Sequence, residues 1–490
     1  MKKFVFLIMT VLLSTLSSIA DNRIIVDELM NDNNDLGDAI SNAIEQKSKT
    51  VGSACVEFTK GKTYTFSRSI VLRDNTTLEG NSCTIRFNTE ESTHAMYLYN
   101  SFITNRICKS ADGTINNFTR TLYARKNITI RNINFECEGG NQFWFNVNSE
   151  RGIIALSGID GLKIENCTFN GVYRNTPIWM GDMRNVEIAY CTFTESVAAK
   201  GQKGSCGGIW TNLGSYLDSI SIHDNTFTNY RDESLSIFCD GKEQQRYFDH
   251  VSIYKNVFNS RYYAITIGSC ETPGCVKIYD NTFNDFDCKT SPVALELGNS
   301  LRSLSLDGNE FLRKDSHSVI DVVAKVALDS FIFKGNHIVN GNIMYSYLPT
   351  VRRHCTIKSN VFDKAQNILS LTAACPVIIE KNTFNIRNAK NSYLLNINNG
   401  SERDIVRDNS FSIINSDSVM LQQPYGYGYT KVDNRLTFEG NSLRFKNSKT
   451  SFFRNNERGK TISMSIFNNN IKGCKLSTLR RDLNTNCVWK

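Results

Sequence analysis

The chain has 490 residues, a formal net charge of +8, 15 Cys, 6 His and 40% hydrophobic residues. That length and apolar content can bury a sizeable core, which argues against a small domain held together by disulfides. So few His and no CxxC pair argue against a zinc centre, and basic residues scattered along the chain argue against a nucleic-acid footprint.

The first residues, MKKFVFLIMTVLLSTLSSIADN, join Lys2 and Lys3 to an apolar run that ends at Ser18-Ile19-Ala20. The pattern predicts a secretory signal peptide over residues 1–20. No later stretch approaches the roughly 18 apolar residues of a membrane span. The expectation is therefore a secreted or periplasmic protein with no membrane insertion. Removing Lys2 and Lys3 lowers the charge to +6, which suits an acidic polymer without demanding one.

Residues 21–50 are expected to form an N-terminal cap, a strand and then a helix with Leu36, Ile40 and Ile44 on one face. From residue 51 to 472 one short phrase recurs, seen as VEIAYCTF, ISIHDNTF, VSIYKNVF and VKIYDNTF. Its terminal apolar residue is Phe135, Phe169, Phe193, Phe227, Phe258, Phe283, Phe311, Ile338, Phe362, Phe384, Phe411, Leu443 and Ile471, a mean interval of 28 residues. Such a period marks a solenoid, and the alternating apolar positions make each unit β. Two residues before the anchor, Asn recurs in ten consecutive units from Asn225 to Asn469, where stacked side-chain amides can donate to one coil and accept from another. Cys167 and Cys191 hold that slot in the two preceding units. Residues 473–490 are expected to form a C-terminal cap. An exposed end of stacked strands presents unpaired edges, so caps are needed at both.

The segment CVEFTKGKTYTFSRSIVLRDNTTLEG, residues 55–80, resembles the first coil of the pectin-lyase-like superfamily. The resemblance runs over roughly residues 51 to 470. It implies an all-β fold, a single-stranded right-handed parallel β-helix of about 13–15 coils with an N-terminal capping helix. On spacing, the cysteines best placed to pair are Cys270 with Cys275 and Cys474 with Cys487, the others being buried thiols.

In such a solenoid, insertions at the turns wall a binding groove. Intervals of 34, 34 and 31 residues between Phe135 and Phe258 put the expected site in these loops, whose accompanying aromatics include Tyr230. Trp144, Trp179, Trp210, Tyr173, Tyr262, Tyr263 and Lys242 are the candidate substrate-binding residues, since aromatic faces stack on sugar rings. Trp179 and Trp210 fit an inward, core-filling position equally well. In RDESLSI, Asp232 and Glu233 precede the alternation Leu235, Ile237. Paired carboxylates can divide general-acid and general-base work. Adjacent strand residues point to opposite faces, so Asp240, Glu243 or Asp182 is a source for the second acid, and Arg231 and Arg246 supply positive charge.

RDESLSI resembles the GDDxxxI strand of polygalacturonases, whose two aspartates belong to the catalytic set. YAITIGS resembles that family's GHGxSIGS segment, with Tyr263 in place of the histidine. A DE pair before an alternating strand is also similar to phage tailspike depolymerases. The resemblance implies a glycoside hydrolase acting on polysaccharide, with no metal or cofactor. Two alternatives stay open. One is a uronate lyase, in which Ca²⁺ would sit on Asp232, Glu233, Asp240 and Asp249. The other is a non-catalytic glycan-binding or structural β-helix. Oligomeric state is not encoded in any of these features.

Overall fold

A computed structural model describes residues 22–30, 35–66, 68–87, 101–105, 125–136, 152–172, 176–195, 207–211, 216–230, 232–238, 247–268, 274–284, 291–296, 300–323, 326–344, 350–365, 368–399, 403–422, 435–449, 451–453, 456–457, 460–461, 463–480 and 487–490. The expected signal peptide lies outside the described residues. The chain divides into two compact units, residues 1–229 and 230–490.

In the first unit the strands form three columns of parallel pairs. One runs through Arg23–Ile25, Ala54–Glu57, Thr76–Phe87, Arg125–Glu136, Ile159–Glu165, Met183–Ala189 and Tyr216–His223. The second runs from Thr63–Phe66 to Thr226–Thr228. The third joins Ile70–Val71, Ile103–Thr104, Gly152–Ser157, Thr176–Gly181 and Ile209–Trp210. The second unit repeats the plan, with columns that begin at Leu235–Phe238, Tyr247–Tyr254 and Val257–Asn259. Among the described residues the one antiparallel pair is Asn456–Glu457 with Lys460–Thr461.

Period-two alternation explains these strands. In Tyr247–Tyr254, Val251 and Ile253 are buried while Ser252 and Tyr254 are partly exposed. The anchor residues fall in register. Phe135, Phe169, Phe193 and Phe227 stack at 4.9, 5.0 and 4.7 Å in the first unit. Phe258, Phe283 and Phe311 stack at 5.0 and 4.8 Å in the second. These separations are close to the strand spacing, so one ring per coil fills the interior without a gap.

Among the described residues the turn before the anchor strand recurs from coil to coil. A residue with positive φ comes first, such as Lys255, Asp280, Gly308 or Gly335, and Asn follows, or Cys after Asn166 and Tyr190. In the second unit the Asn309 N–H and Nδ2 both donate to Asn336 Oδ1 at 2.9 Å, and Nδ2 also donates to the Ile278 carbonyl. The same contacts link Asn256, Asn281, Asn309, Asn336, Asn360, Asn382, Asn409, Asn441 and Asn469 in sequence. Every buried polar group at this corner is thereby satisfied. In the first unit Cys191 keeps half of the pattern: its N–H donates to Asn225 Oδ1 at 2.9 Å.

The helix Leu36–Thr50 starts where Asp35 accepts from the Gly37 N–H at 2.9 Å. Ile40 and Ile44 are fully buried and Leu36 is half-buried. A Cβ on Gly37 would lie 2.0 Å from the Arg68 carbonyl, so glycine permits the close approach. The Ser41 hydroxyl accepts from the Val71 N–H at 2.9 Å, satisfying a donor that a preceding strand would otherwise take. At the other end, Val488–Trp489 pairs in parallel with Ser463–Phe467, and Trp489 meets Phe453 at 5.5 Å. Cys275, Cys474 and Cys487, from the pairs expected on spacing, are free thiols in the structure, and Cys270 lies outside the described residues.

Two outcomes follow. Asn309→Ala removes the acceptor of the Asn281 N–H and Nδ2. The Nδ2 keeps the Ile253 and Tyr279 carbonyls, but the N–H is left unpaired, and a buried donor without a partner costs about 1–3 kcal/mol, so the urea midpoint should fall below that of Asn385→Ala, whose amide reaches the part-buried Asp363 carboxylate. Glu45 is held at about 2 by hydrogen bonds from Arg73 and then Lys49, against an ordinary value of 4.5. A depressed carboxyl stabilises the fold above its unfolded value and loses that contribution as pH falls. The stability difference between wild type and Glu45→Gln should be constant above about pH 5 and vanish as pH falls from 4.5 to about 2, measured by unfolding midpoints.

Candidate functional site

The aromatic candidates that can be placed lie in the first unit. Ile154, Ile178 and Ile209 are paired in register and turned inward, each 1% exposed or less. Alternation therefore sends Ala155, Trp179 and Trp210 to the outer face, with both indoles half-buried. The core-filling alternative for the two tryptophans does not hold. Gly207 sits against the Trp210 indole edge, where a Cβ would lie 1.8 Å from Nε1. That Nε1 is buried and has no hydrogen-bond partner among the described residues. Asp182, weighed as a second acid, is buried in a turn with positive φ and accepts from the Tyr216 N–H at 3.2 Å, a structural role.

The carboxylate pair lies in the second unit. Asp232 and Glu233 are both half-buried, just before strand Leu235–Phe238. Asp232 accepts from the Glu233 N–H at 3.2 Å. The next two contacts fasten this segment to the following coil: Ser234 N–H donates to the Tyr263 carbonyl at 3.2 Å, and the Ser234 and Ser260 hydroxyls meet at 2.8 Å. Leu235 then pairs with Ile265. Tyr262 and Tyr263 are thus brought beside the acids, with their rings 4.4 Å apart. Tyr262 lines a small pocket with Asn284, Pro292 and the buried Arg313.

Tyr263, 7% exposed, donates its phenol to Asp321 Oδ2 at 3.0 Å. Asp321 lies in the column Ser236, Thr266, Ala294, Asp321, one residue per coil. Its neighbours Ile320 and Val322 are buried inward, so alternation turns Asp321 outward. The segment HSVIDVVAK reads as scaffold in the sequence, and an acid between two buried aliphatics was the signal to the contrary. Tyr230, grouped with the aromatic loops by sequence, is fully buried instead.

Asp249, a candidate calcium ligand in the lyase reading, has both oxygens engaged. Oδ1 accepts from the His250 and Cys275 N–H groups at 2.9 Å, and Oδ2 meets the Arg302 guanidinium. Burial pushes this acid up, but Arg302 and the two backbone donors together hold it below the usual carboxylate range. Among the described residues no group of three or more His, Cys, Asp or Glu side chains is placed to hold a metal ion. Trp144, Tyr173, Arg231, Asp240, Lys242 and Arg246 lie outside the described residues.

Gly207→Ala should displace the Trp210 indole. A red-shifted tryptophan emission, absent from Gly52→Ala at a glycine with open space around it, is the expected result.

No family model and no curated protein matches the chain. Among solved structures, it is similar to a mutant tailspike protein of E. coli bacteriophage HK620 in complex with a pentasaccharide, at 12% identity over 88% of this chain and 80% of that chain, TM-score 0.50. It is also similar to PfbA, a surface adhesin of Streptococcus pneumoniae, at 12% identity over 92% and 91% of the two chains, TM-score 0.36. A hyperthermoactive exopolygalacturonase from Thermotoga maritima matches at 11% identity over 93% and 92%, TM-score 0.39. At such identities the likeness is one of fold: the chain is a right-handed parallel β-helix.

Proposed function

We propose that this protein is exported, binds a polysaccharide and hydrolyses it, with Asp232 and Glu233 as the general acid and general base. The observation that carries the reading is the pairing of two half-buried carboxylates with two tyrosines of the following coil, one of which reaches the outward Asp321 two coils further on. Hydrolysis adds water across a glycosidic bond. One acid protonates the departing oxygen while the other takes a proton from the attacking water. Tyr262 offers a ring edge and a hydroxyl to a sugar. The first unit, taken by itself, presents the outward Trp179 and Trp210 as apolar faces on which a sugar can stack. The tailspike of similar fold was solved with a pentasaccharide bound, which supports a saccharide as ligand. Arg231, Asp240, Lys242 and Arg246 join this proposal on their sequence positions alone.

The test is incubation of the mature protein with neutral and acidic polysaccharides, following reducing ends together with the ultraviolet absorbance of unsaturated uronates. Reducing ends should rise without absorbance, and Asp232→Asn or Glu233→Gln should lower the rate by about 10²–10⁴-fold. A parallel rise in absorbance would make the protein a lyase. Saccharide binding with neither signal would make it a non-catalytic binder.

A further inference from the structure

We propose that Cys167 and Cys191 are joined by a disulfide that fastens one coil to the next when the chain folds in an oxidising compartment. Both are free thiols in the structure. They occupy the corner slot that Asn fills in later coils, one residue ahead of the paired Thr168 and Thr192, and the Thr192 N–H donates to the Cys167 carbonyl at 3.0 Å.

That slot brings side chains of successive coils into contact. Between asparagines the side-chain separation is 2.9 Å for Asn360 to Asn382 and 3.1 Å for Asn336 to Asn360. The two thiols copy the amide geometry. Asn281 Nδ2 donates to the carbonyl two residues back, Tyr279, and to Ile253 of the coil before. Cys191 Sγ likewise reaches the Ala189 carbonyl at 3.2 Å and the Ile164 carbonyl at 3.9 Å. Cys167 Sγ reaches Glu165 at 3.4 Å and Ile130 at 3.9 Å. The sulfurs therefore sit in equivalent places one coil apart, each on the carbonyl two residues back and on a carbonyl of the coil before. In-register parallel strands are about 4.8 Å apart, inside the range of about 4.4–6.8 Å between Cα atoms that a disulfide spans.

Bond formation requires a disulfide oxidant, either small-molecule or protein. The thiolate of one cysteine attacks a sulfur of that disulfide and releases one thiol. The second cysteine then displaces the remaining thiol from the mixed disulfide, so two protons and two electrons leave with the oxidant. In the folded chain, burial and then the Cys191 thiol push the Cys167 thiol well up. The exchange accordingly belongs to the folding chain, before the coil closes over both sulfurs. Once formed, the bond is beyond the reach of reductants, because both residues are 1% exposed.

The test uses the full mature chain refolded in a glutathione disulfide and thiol buffer, digested without reduction and mapped by mass spectrometry. The expected product is a cross-linked peptide pair containing Cys167 and Cys191, lighter than the two thiol peptides by two hydrogens. Reduction under denaturing conditions should convert it to two alkylatable peptides and lower the urea midpoint of the refolded protein to that of the Cys167→Ser, Cys191→Ser double variant. Full alkylation of both cysteines in protein that has folded in the oxidising buffer would overturn the proposal. So would a map that links either cysteine to another partner, such as the buried Cys83.

Discussion

The second unit depends on one small exchange, repeated at a corner of each coil. An asparagine side-chain oxygen accepts two donors of the coil before it, the N–H and the amide of the previous asparagine. Each asparagine would be an expensive buried amide if it stood alone. In a row, every donor finds an acceptor, and every coil fixes the height of the next. A strand slipped by one residue would turn its apolar set outward, so a contact that pins the corner also pins the face of everything after it. The phenylalanine stacks follow from it: with the corner fixed, the residue two positions later meets its own copy.

The proposed chemistry leans on the same constraint. Asp232 and Glu233 precede a strand whose Leu235 and Ile237 are fully buried, and the segment is tied to the following coil through Ser234. Tyr263 reaches across to Asp321 because coils two turns apart are held in register. A site assembled from several coils is as rigid as the stack beneath it, which is what directed proton transfer needs.

Much of this was legible beforehand. The recurring anchor and the asparagine two residues before it were enough to predict parallel stacking, since only residues in one register column repeat at the period of the coil. Trp179 and Trp210 were ambiguous because each adjoins an isoleucine: with apolar residues on both sides of the alternation, period two does not say which faces in. Tyr230 misled for a related reason, an aromatic in a loop segment being as good for filling a corner as for lining a groove. Asp321 was hidden by distance. It lies 58 residues from Tyr263, so nothing local joins them, and only the count of coils does. The expected cysteine bridges came from nearness along the chain, while the structure sets Cys275 against Arg302 Nε at 3.1 Å.

The residue before each asparagine carries a further lesson. Where it is Gly308, a Cβ would come within 2.5 Å of the Asp280 carboxylate in the neighbouring coil, and Gly440 stands in the same relation to Asp408 at 2.6 Å. A coil thus carries at its corner an imprint of the coil next to it. If such a chain grows by copying one of its own turns, a glycine corner keeps its reason only beside a neighbour that reaches into the space of its missing Cβ, whereas Lys255 and Asp280, or Lys381 and Asp408, stand in successive coils with no glycine at all. The history of the solenoid is then constrained less by what each coil is than by which coils can be neighbours.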